Sequence, residues 1–434
     1  MDKMADVLGR AGAWCGQNKY LSAIKNAFQN FMPLTIAGAI GVLWCNVLVN
    51  DQTGLGLFFK PIMALDFLNP AFQAVNFCTI SCITVGITLG IAQEIGVWNM
   101  GAERAGYIPG LVGLAAWLSV TNTSHMVDGA KEAFTGVAGN ELGATGLFTG
   151  MIIGVLSVEL FCFFEKQDAL KIKMPEQVPP GVARAFEVLV PATITLIITA
   201  CIGSACYNLT GLYLIVVIKN GIQGPLGAVG ATIPGVMIIY LVIMLFWLVG
   251  IHGNNMLSAV KEALFTPLAL ENVEKFNKGE KPTNIINMYA LQMWGEFGGS
   301  GVTIGLVIAI MIFGKREDNK AIATLSLVPG LFNINETVTF GIPMVLNPIL
   351  GIPFVVAPLI TIIIGYVLTV IGFCPVACLT VPWTTPPIVF GFLACGANVM
   401  GAVTQAILIV VSTVIYTPFL IAYEKYQNKQ AAEV

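Results

Sequence analysis

IPFVVAPLITIIIGYVLTVIG, residues 352–372, runs for 21 residues without a charged side chain. At about 1.5 Å per residue, a helix of that length covers roughly 30 Å, the thickness of a bilayer's hydrocarbon core. The block is continuously apolar and lacks the alternation of a barrel strand. A span exposed to lipid must satisfy its own backbone hydrogen bonds, which a helix does within one segment. The stretch therefore reads as a transmembrane helix. Blocks of the same kind occur near 32–49, 74–92, 142–164, 188–207, 233–251, 301–314 and 402–422. Shorter or broken apolar stretches near 107–120, 321–347 and 376–400 bring the expected total to about ten spans. The expected fold class is an all-α polytopic membrane protein.

Composition agrees with lipid as the solvent. Of the 434 residues, 56% are hydrophobic and only 10% charged, against roughly 25% charged in soluble domains. Mean hydropathy is +0.82. The net charge of -3 comes with no basic run and no aromatic-basic interleaving, so nucleic acid is not an expected partner. No apolar signal core or small-residue cleavage site precedes Met32, so the first hydrophobic run is expected to remain in the mature protein. Nine of the ten cysteines lie in apolar surroundings and read as polarizable packing residues. Cys78/Cys82 and Cys374/Cys378 have one-turn spacing, but no histidine lies near either pair in sequence. No metal or cofactor is expected.

Basic residues gather in four places: Lys3, Arg10, Lys19 and Lys25; Lys166, Lys171, Lys173 and Arg184; Lys315, Arg316 and Lys320; Lys425 and Lys429. The positive-inside rule puts all four on the cytoplasmic face, with both termini. The charged, proline-bearing interruption KQDALKIKMPEQVPPGVAR at 166–184 divides the chain into expected modules of about 1–180 and 181–434. Residues 252–299 present a topological problem, because a span ending near Gly250 must reach a cytoplasmic exit after 314. That stretch is expected to dip into the membrane or cross it once more, and the sequence leaves both open.

Solute sites in transporters lie where helices break and free backbone groups face a water-filled cavity. Three segments of the second half combine glycine or proline with polar side chains: GIHGNNM at 250–256, PGLFNINETVTFGIPMVLNP at 329–348, and CLTVPWTTPPIVFG at 378–391. Asn333, Asn335 and Glu336 interrupt an apolar approach. A central acid costs about 2.5–3.5 kcal/mol to insert, and no lysine or arginine lies close in sequence to Glu336. A polar cavity or a protonated carboxyl fits that setting, against the plainer reading of a loop acid in bulk water. His252 follows LFWLVGI and precedes Gly253-Asn254-Asn255, a half-buried turn where an imidazole titrates, donates and accepts. A satisfied structural histidine is the alternative; His125, in a polar loop, reads as facing water. Trp294, Glu296 and Trp383 add aromatic faces and an acid, a mixture suited to a hydroxyl-rich ligand, with interfacial belt tryptophans as the alternative.

GIHGNN at 250–255, FNINE at 332–336 followed by TFGIPMVLNP, and PEQVPPGVARAFEVLVP at 175–191 together resemble the membrane (IIC) component of phosphoenolpyruvate-dependent sugar phosphotransferase systems. The similar branch is the lactose, cellobiose and diacetylchitobiose group. The resemblance covers essentially the whole chain and implies a homodimer with re-entrant hairpins in the bacterial cytoplasmic membrane. It further implies that the first module forms the dimer interface and that the second binds and moves the sugar. A phosphorylated cytoplasmic IIB protein would then modify the sugar at its C6 hydroxyl.

By motif, Glu336 and His252 are expected beside that hydroxyl, with Glu336 accepting its proton and His252 hydrogen-bonding it or stabilising phosphoryl oxygens. Asn254, Asn333 and Asn335 are expected to bind sugar hydroxyls or to brace the hairpin, Trp383 to stack on a pyranose, and Glu296 and Trp294 to line the site. Thr337 departs from a proline common in relatives. With no IIA or IIB domain in the sequence, the donor is expected in trans, and none of the ten cysteines resembles a phosphocysteine. The expected substrate is a β-linked disaccharide, N,N'-diacetylchitobiose before cellobiose, then lactose. Three alternatives remain open: a symporter in which Glu336 or Glu94 binds the driving proton and the solute emerges unmodified, a membrane enzyme without transport, and a scaffold.

Overall fold

The computed structural model describes residues 10, 13–14, 17–51, 55–125, 134–175, 177–342 and 344–433. Lys3 of the first basic cluster, and Glu176 and Pro343 of the proline-bearing motifs, lie outside the described residues. Helix dominates, and among the described residues six helices are long and apolar enough to cross a membrane: Lys19–Leu48, Lys60–Met100, Ala144–Glu165, Pro180–Thr210, Gly351–Val370 and Val399–Gln430. A seventh span arises if Met288–Val302 and Ile304–Phe313, bent by 60° at their junction, cross together. Ile108–Val120, Leu214–Gln223 and Ile233–Leu248 are shorter apolar helices. Among the described residues, β-structure is confined to the two-residue strands Ser124–His125 and Phe134–Thr135.

The described residues divide into two compact units, one within 17–38 and 74–228 and the other within 1–16, 39–73 and 229–434. In the first unit the principal helices are α1 (Lys19–Leu43, whose later residues belong to the other unit), α2 (Ile83–Met100), α3 (Ile108–Val120), α4 (Ala144–Glu165) and α5 (Pro180–Thr210). Their hydrophobic stripes are nearly continuous around each helix, so small residues decide where backbones approach. A Cβ on Gly113 would stand 2.3 Å from that of Ala92, and one on Gly150 would stand 2.2 Å from the Thr88 hydroxyl. Trp117, fully buried with Ala116, Val120 and Ile153, fills the space this packing leaves. The 166–184 interruption lies within this unit, where Arg104 and Arg184 both pair with the buried Glu165 carboxylate at 2.8 and 2.9 Å.

The second unit carries the three broken segments. Its helices are α6 (Ile233–Leu248), α7 (Gly253–Asn277), α8 (Met288–Gly295), α9 (Ile304–Phe313), α10 (Glu317–Leu331), α11 (Glu336–Gly341), α12 (Gly351–Val370), α13 (Val389–Ala394) and α14 (Val399–Glu433). Residues 252–299 comprise the long helix α7, a connection, and α8 with the start of the break that follows it. The buried Asn272 and Asn287 fix the connection: both side-chain amides donate to the Ala377 carbonyl, and Asn287 caps α8. The break between α8 and α9 rests on backbone conformation. Gly298, Gly299 and Gly301 have φ of +69°, +87° and +79°, values that an L side chain rarely adopts. The carbonyls freed there are satisfied from outside the helix: Thr303 Oγ1 donates to Gly298 O at 2.6 Å and Tyr416 OH to Gly301 O at 2.8 Å.

Candidate functional site

The turn between α6 and α7 is built by glycines. Gly250 takes φ +81° as α6 ends, and its N–H returns to Trp247 O at 3.0 Å. Gly253 then opens α7 so close to α6 that an added Cβ would lie 2.0 Å from Ile243 O. His252 sits between them as the α7 N-cap, its Nδ1 accepting from Asn255 N at 3.3 Å. The imidazole packs on the buried Trp247, ring centroids 4.4 Å apart. With Nδ1 occupied as an acceptor, the ring's Nε2 is the edge presented outward.

The FNINE segment supplies the facing carboxylate. Asn333, at φ +62°, takes the left-handed conformation that asparagine tolerates better than most residues. Its Oδ1 accepts from Gly298 N at 2.6 Å, and its Nδ2 donates to the carbonyls of Trp383 and Thr385. The buried Asn335 donates from Nδ2 to Ser300 O at 2.8 Å and to Thr339 Oγ1 at 3.1 Å. The two asparagines therefore tie the FNINE turn to the glycine-rich break and to the 378–391 hairpin. Held by them, α11 begins at Glu336, whose Oε1 lies 3.8 Å from His252 Nε2, with side chains 47% and 39% exposed. This separation exceeds a hydrogen bond and leaves both groups open to one ligand hydroxyl. Burial pushes the His252 imidazole below its usual value, and the adjacent Glu336 carboxylate opposes that push without overcoming it.

The remaining predicted residues fall in different settings. Trp383 is 45% exposed while its carbonyl is held by Asn333. Asn254, in the first turn of α7, has a buried Oδ1 with no hydrogen-bond partner among the described residues. Glu296 follows the end of α8 and points into protein, where its Oε1 accepts from Tyr240 OH at 2.7 Å and from Lys261 Nζ. Trp294 is 1% exposed and packs on Gly365, so it contributes to the core and not to an open face. Sequence reading missed Tyr240, Trp247 and Lys261. Lys261, a cation within the apolar run after GIHGNN, was the available signal for a buried charge pair.

The arrangement places a half-exposed carboxylate, a half-exposed imidazole and an exposed indole on broken helices, groups of the kind that can bind a polyhydroxylated solute. Residues 25–358 match the family described as "Phosphotransferase system, EIIC". Similar curated proteins include the oligo-beta-mannoside-specific EIIC component of Bacillus subtilis (strain 168), 32% identical over 98% of this chain and 94% of that protein. The cellobiose-specific EIIC component of Lactococcus lactis subsp. lactis (strain IL1403) is 30% identical over 98% of each. The crystal structure of the transporter ChbC, the IIC component from the N,N'-diacetylchitobiose-specific phosphotransferase system, has a TM-score of 0.88 and 29% identity, covering 97% of both chains. Built around a helix-breaking polar site within an apolar bundle, this chain belongs to the EIIC family of phosphotransferase-system membrane permeases.

Proposed function

We propose that the chain carries a β-linked disaccharide across the bacterial cytoplasmic membrane while a phosphorylated IIB protein, supplied in trans, phosphorylates the sugar's C6 hydroxyl. The observation that carries this reading is the approach of His252 Nε2 to Glu336 Oε1, 3.8 Å apart and both half-exposed. Glu336 takes the hydroxyl proton as the oxygen attacks the phosphoryl group, the bond from phosphorus to the IIB protein breaks and its side chain leaves with the electron pair, and His252 orients the hydroxyl or stabilises the transferring oxygens. Trp383 stacks on a pyranose face. N,N'-diacetylchitobiose is the first substrate choice, supported by the close fit to ChbC, and cellobiose the second, supported by the cellobiose-specific relatives.

The proposed assembly is a homodimer of about ten spans per protomer, counting shorter and re-entrant helices with the long ones. Both termini are cytoplasmic in this reading, module 1–180 forms the dimer interface, and module 181–434 carries the sugar. Basic clusters at Lys166–Arg184 and Lys315–Lys320 support that orientation.

The test is uptake of radiolabelled diacetylchitobiose and cellobiose into vesicles, with and without the phosphorylated IIB partner, in wild type, Glu336→Gln and His252→Ala. Phosphorylated sugar should accumulate only with the partner and only in wild type. Accumulation of unmodified sugar under a proton gradient, without the partner, would overturn the proposal.

A further inference from the structure

The hairpin that presents Trp383 is held by more than the FNINE motif. At its base the Cys378 and Leu379 amides donate to Ala394 O at 2.8 and 3.1 Å. At its tip Asn333 holds the Trp383 and Thr385 carbonyls, and the Thr385 amide returns to Pro382 O at 2.9 Å. Pro386 and Pro387 follow, and neither has an amide hydrogen to donate. Ile388 therefore carries the first backbone donor after Thr385, and that donor goes to Gln405 of α14. Gln405 Oε1 accepts from Ile388 N at 2.7 Å and from Gly391 N at 2.8 Å. The Gln405 side chain is buried, and its Nε2 donates to Met293 O of α8 at 3.2 Å. Glycine at 391 permits the approach, since a Cβ there would stand 2.9 Å from the same oxygen.

The residue held there is strained. Ile388 stands at φ +76°, ψ −53°, outside the small left-handed region and in a conformation that a β-branched residue keeps only when its surroundings over-determine it. We infer that Gln405 is a positioning residue for Trp383, acting through Ile388. Asn333 fixes the segment from the FNINE side, and Gln405 fixes it from α14, three residues beyond Thr385. Without the Gln405 oxygen an isoleucine relaxes to negative φ, which swings the chain that enters through the two prolines and carries the Trp383 ring with it. The consequence for sugar binding rests on the stacking role proposed above for Trp383. Gln405 itself, 1% exposed, makes no contact with a sugar in this reading.

Fluorine NMR of the full chain in detergent micelles, with fluorotryptophan at all seven tryptophan positions, reads the ring directly; the line lost in Trp383→Phe assigns it. Gln405→Met should shift or broaden the Trp383 line, and Ile388→Gly should leave it in place. Combining the two should return the line toward its wild-type position, because glycine keeps the same angles without strain. Where Gln405→Met fails to fold, Gln405→Asn, which keeps a buried amide and withdraws it by one methylene, decides on the same line. An unmoved line in the Gln405 variants, or a double variant no nearer wild type than Gln405→Met, would overturn the inference. Titration with N,N'-diacetylchitobiose reads the consequence: Gln405→Met should weaken binding by about two- to tenfold and add nothing further in a Trp383→Ala background. Equal weakening in both backgrounds would mark a general structural loss and also overturn it. The NMR line requires no sugar, so the two readings fail separately. A moved line in a chain whose Trp383→Ala variant binds sugar normally retains the positioning role and sinks the stacking role; an unmoved line where Trp383→Ala loses binding does the reverse.

Discussion

Asn333 accepts the Gly298 amide on its side-chain oxygen at 2.6 Å while its side-chain nitrogen donates to the carbonyls of Trp383 and Thr385. One amide therefore fixes the broken helix, the FNINE turn and the tryptophan hairpin against each other. Asn335 repeats the device one step inward, through Ser300 O and Thr339 Oγ1. Within the motif Phe332, Ile334 and Glu336 are exposed, and Glu336 is the one of the three with a polar side chain.

Glu336→Gln keeps the side chain's size and removes its basicity. Formation of phosphorylated sugar should fall about 10²–10⁴-fold, with sugar affinity changed by less than about tenfold. Single-turnover phosphorylation set beside equilibrium binding of unmodified sugar checks this. A loss confined to binding would assign the carboxylate to recognition instead.

His252 contributes to the pH dependence of stability. Its folded-state midpoint lies below the ordinary 6.5 because burial disfavours the charged ring. The folded state therefore binds fewer protons than the unfolded state, and stability declines as pH falls from about 6.5 through the lowered midpoint. Thermal unfolding in detergent should show wild type losing more stability between about pH 7 and 5 than His252→Gln. Parallel curves would contradict that sign.

Gly253→Ala puts a methyl 2.0 Å from Ile243 O, against backbone that cannot rotate away. The α6–α7 turn must open, at a cost of about 1–3 kcal/mol, and His252 shifts with it. Reduced melting temperature together with reduced phosphorylation is the expected pair of outcomes. Gly279→Ala, at φ +72° with open space around it, serves as the control: it should leave phosphorylation unchanged.

Asn335→Ala and Trp383→Ala should separate frame from ligand contact. The first leaves Ser300 O without its side-chain donor in the interior and should cost about 1–3 kcal/mol of stability. The second removes a 45% exposed ring and should weaken sugar binding by about two- to tenfold, the range of an aromatic contact, at nearly unchanged melting temperature. Calorimetric melting and sugar titration of both variants measure the two effects; a Trp383→Ala chain that binds sugar normally would remove the stacking role.

By itself the sequence determined the helical character, the apolar solvent and the places where helices break. Uncharged runs such as 352–372 can satisfy their backbone in lipid only as helices, and glycine and proline next to asparagine mark where that satisfaction stops. It also singled out Glu336 and His252, because an acid or an imidazole inside apolar surroundings carries a cost that calls for a purpose. Only the tertiary structure decided which polar groups face each other. Glu296 was legible as an acid near a break, but that it turns inward to Lys261 and Tyr240 depends on three helices converging. Trp294 and Trp383 look alike in sequence, yet one is sealed against Gly365 and the other is open. Helical periodicity was of little use in separating them, since lipid and protein interior are both apolar and the pattern no longer marks which face is buried.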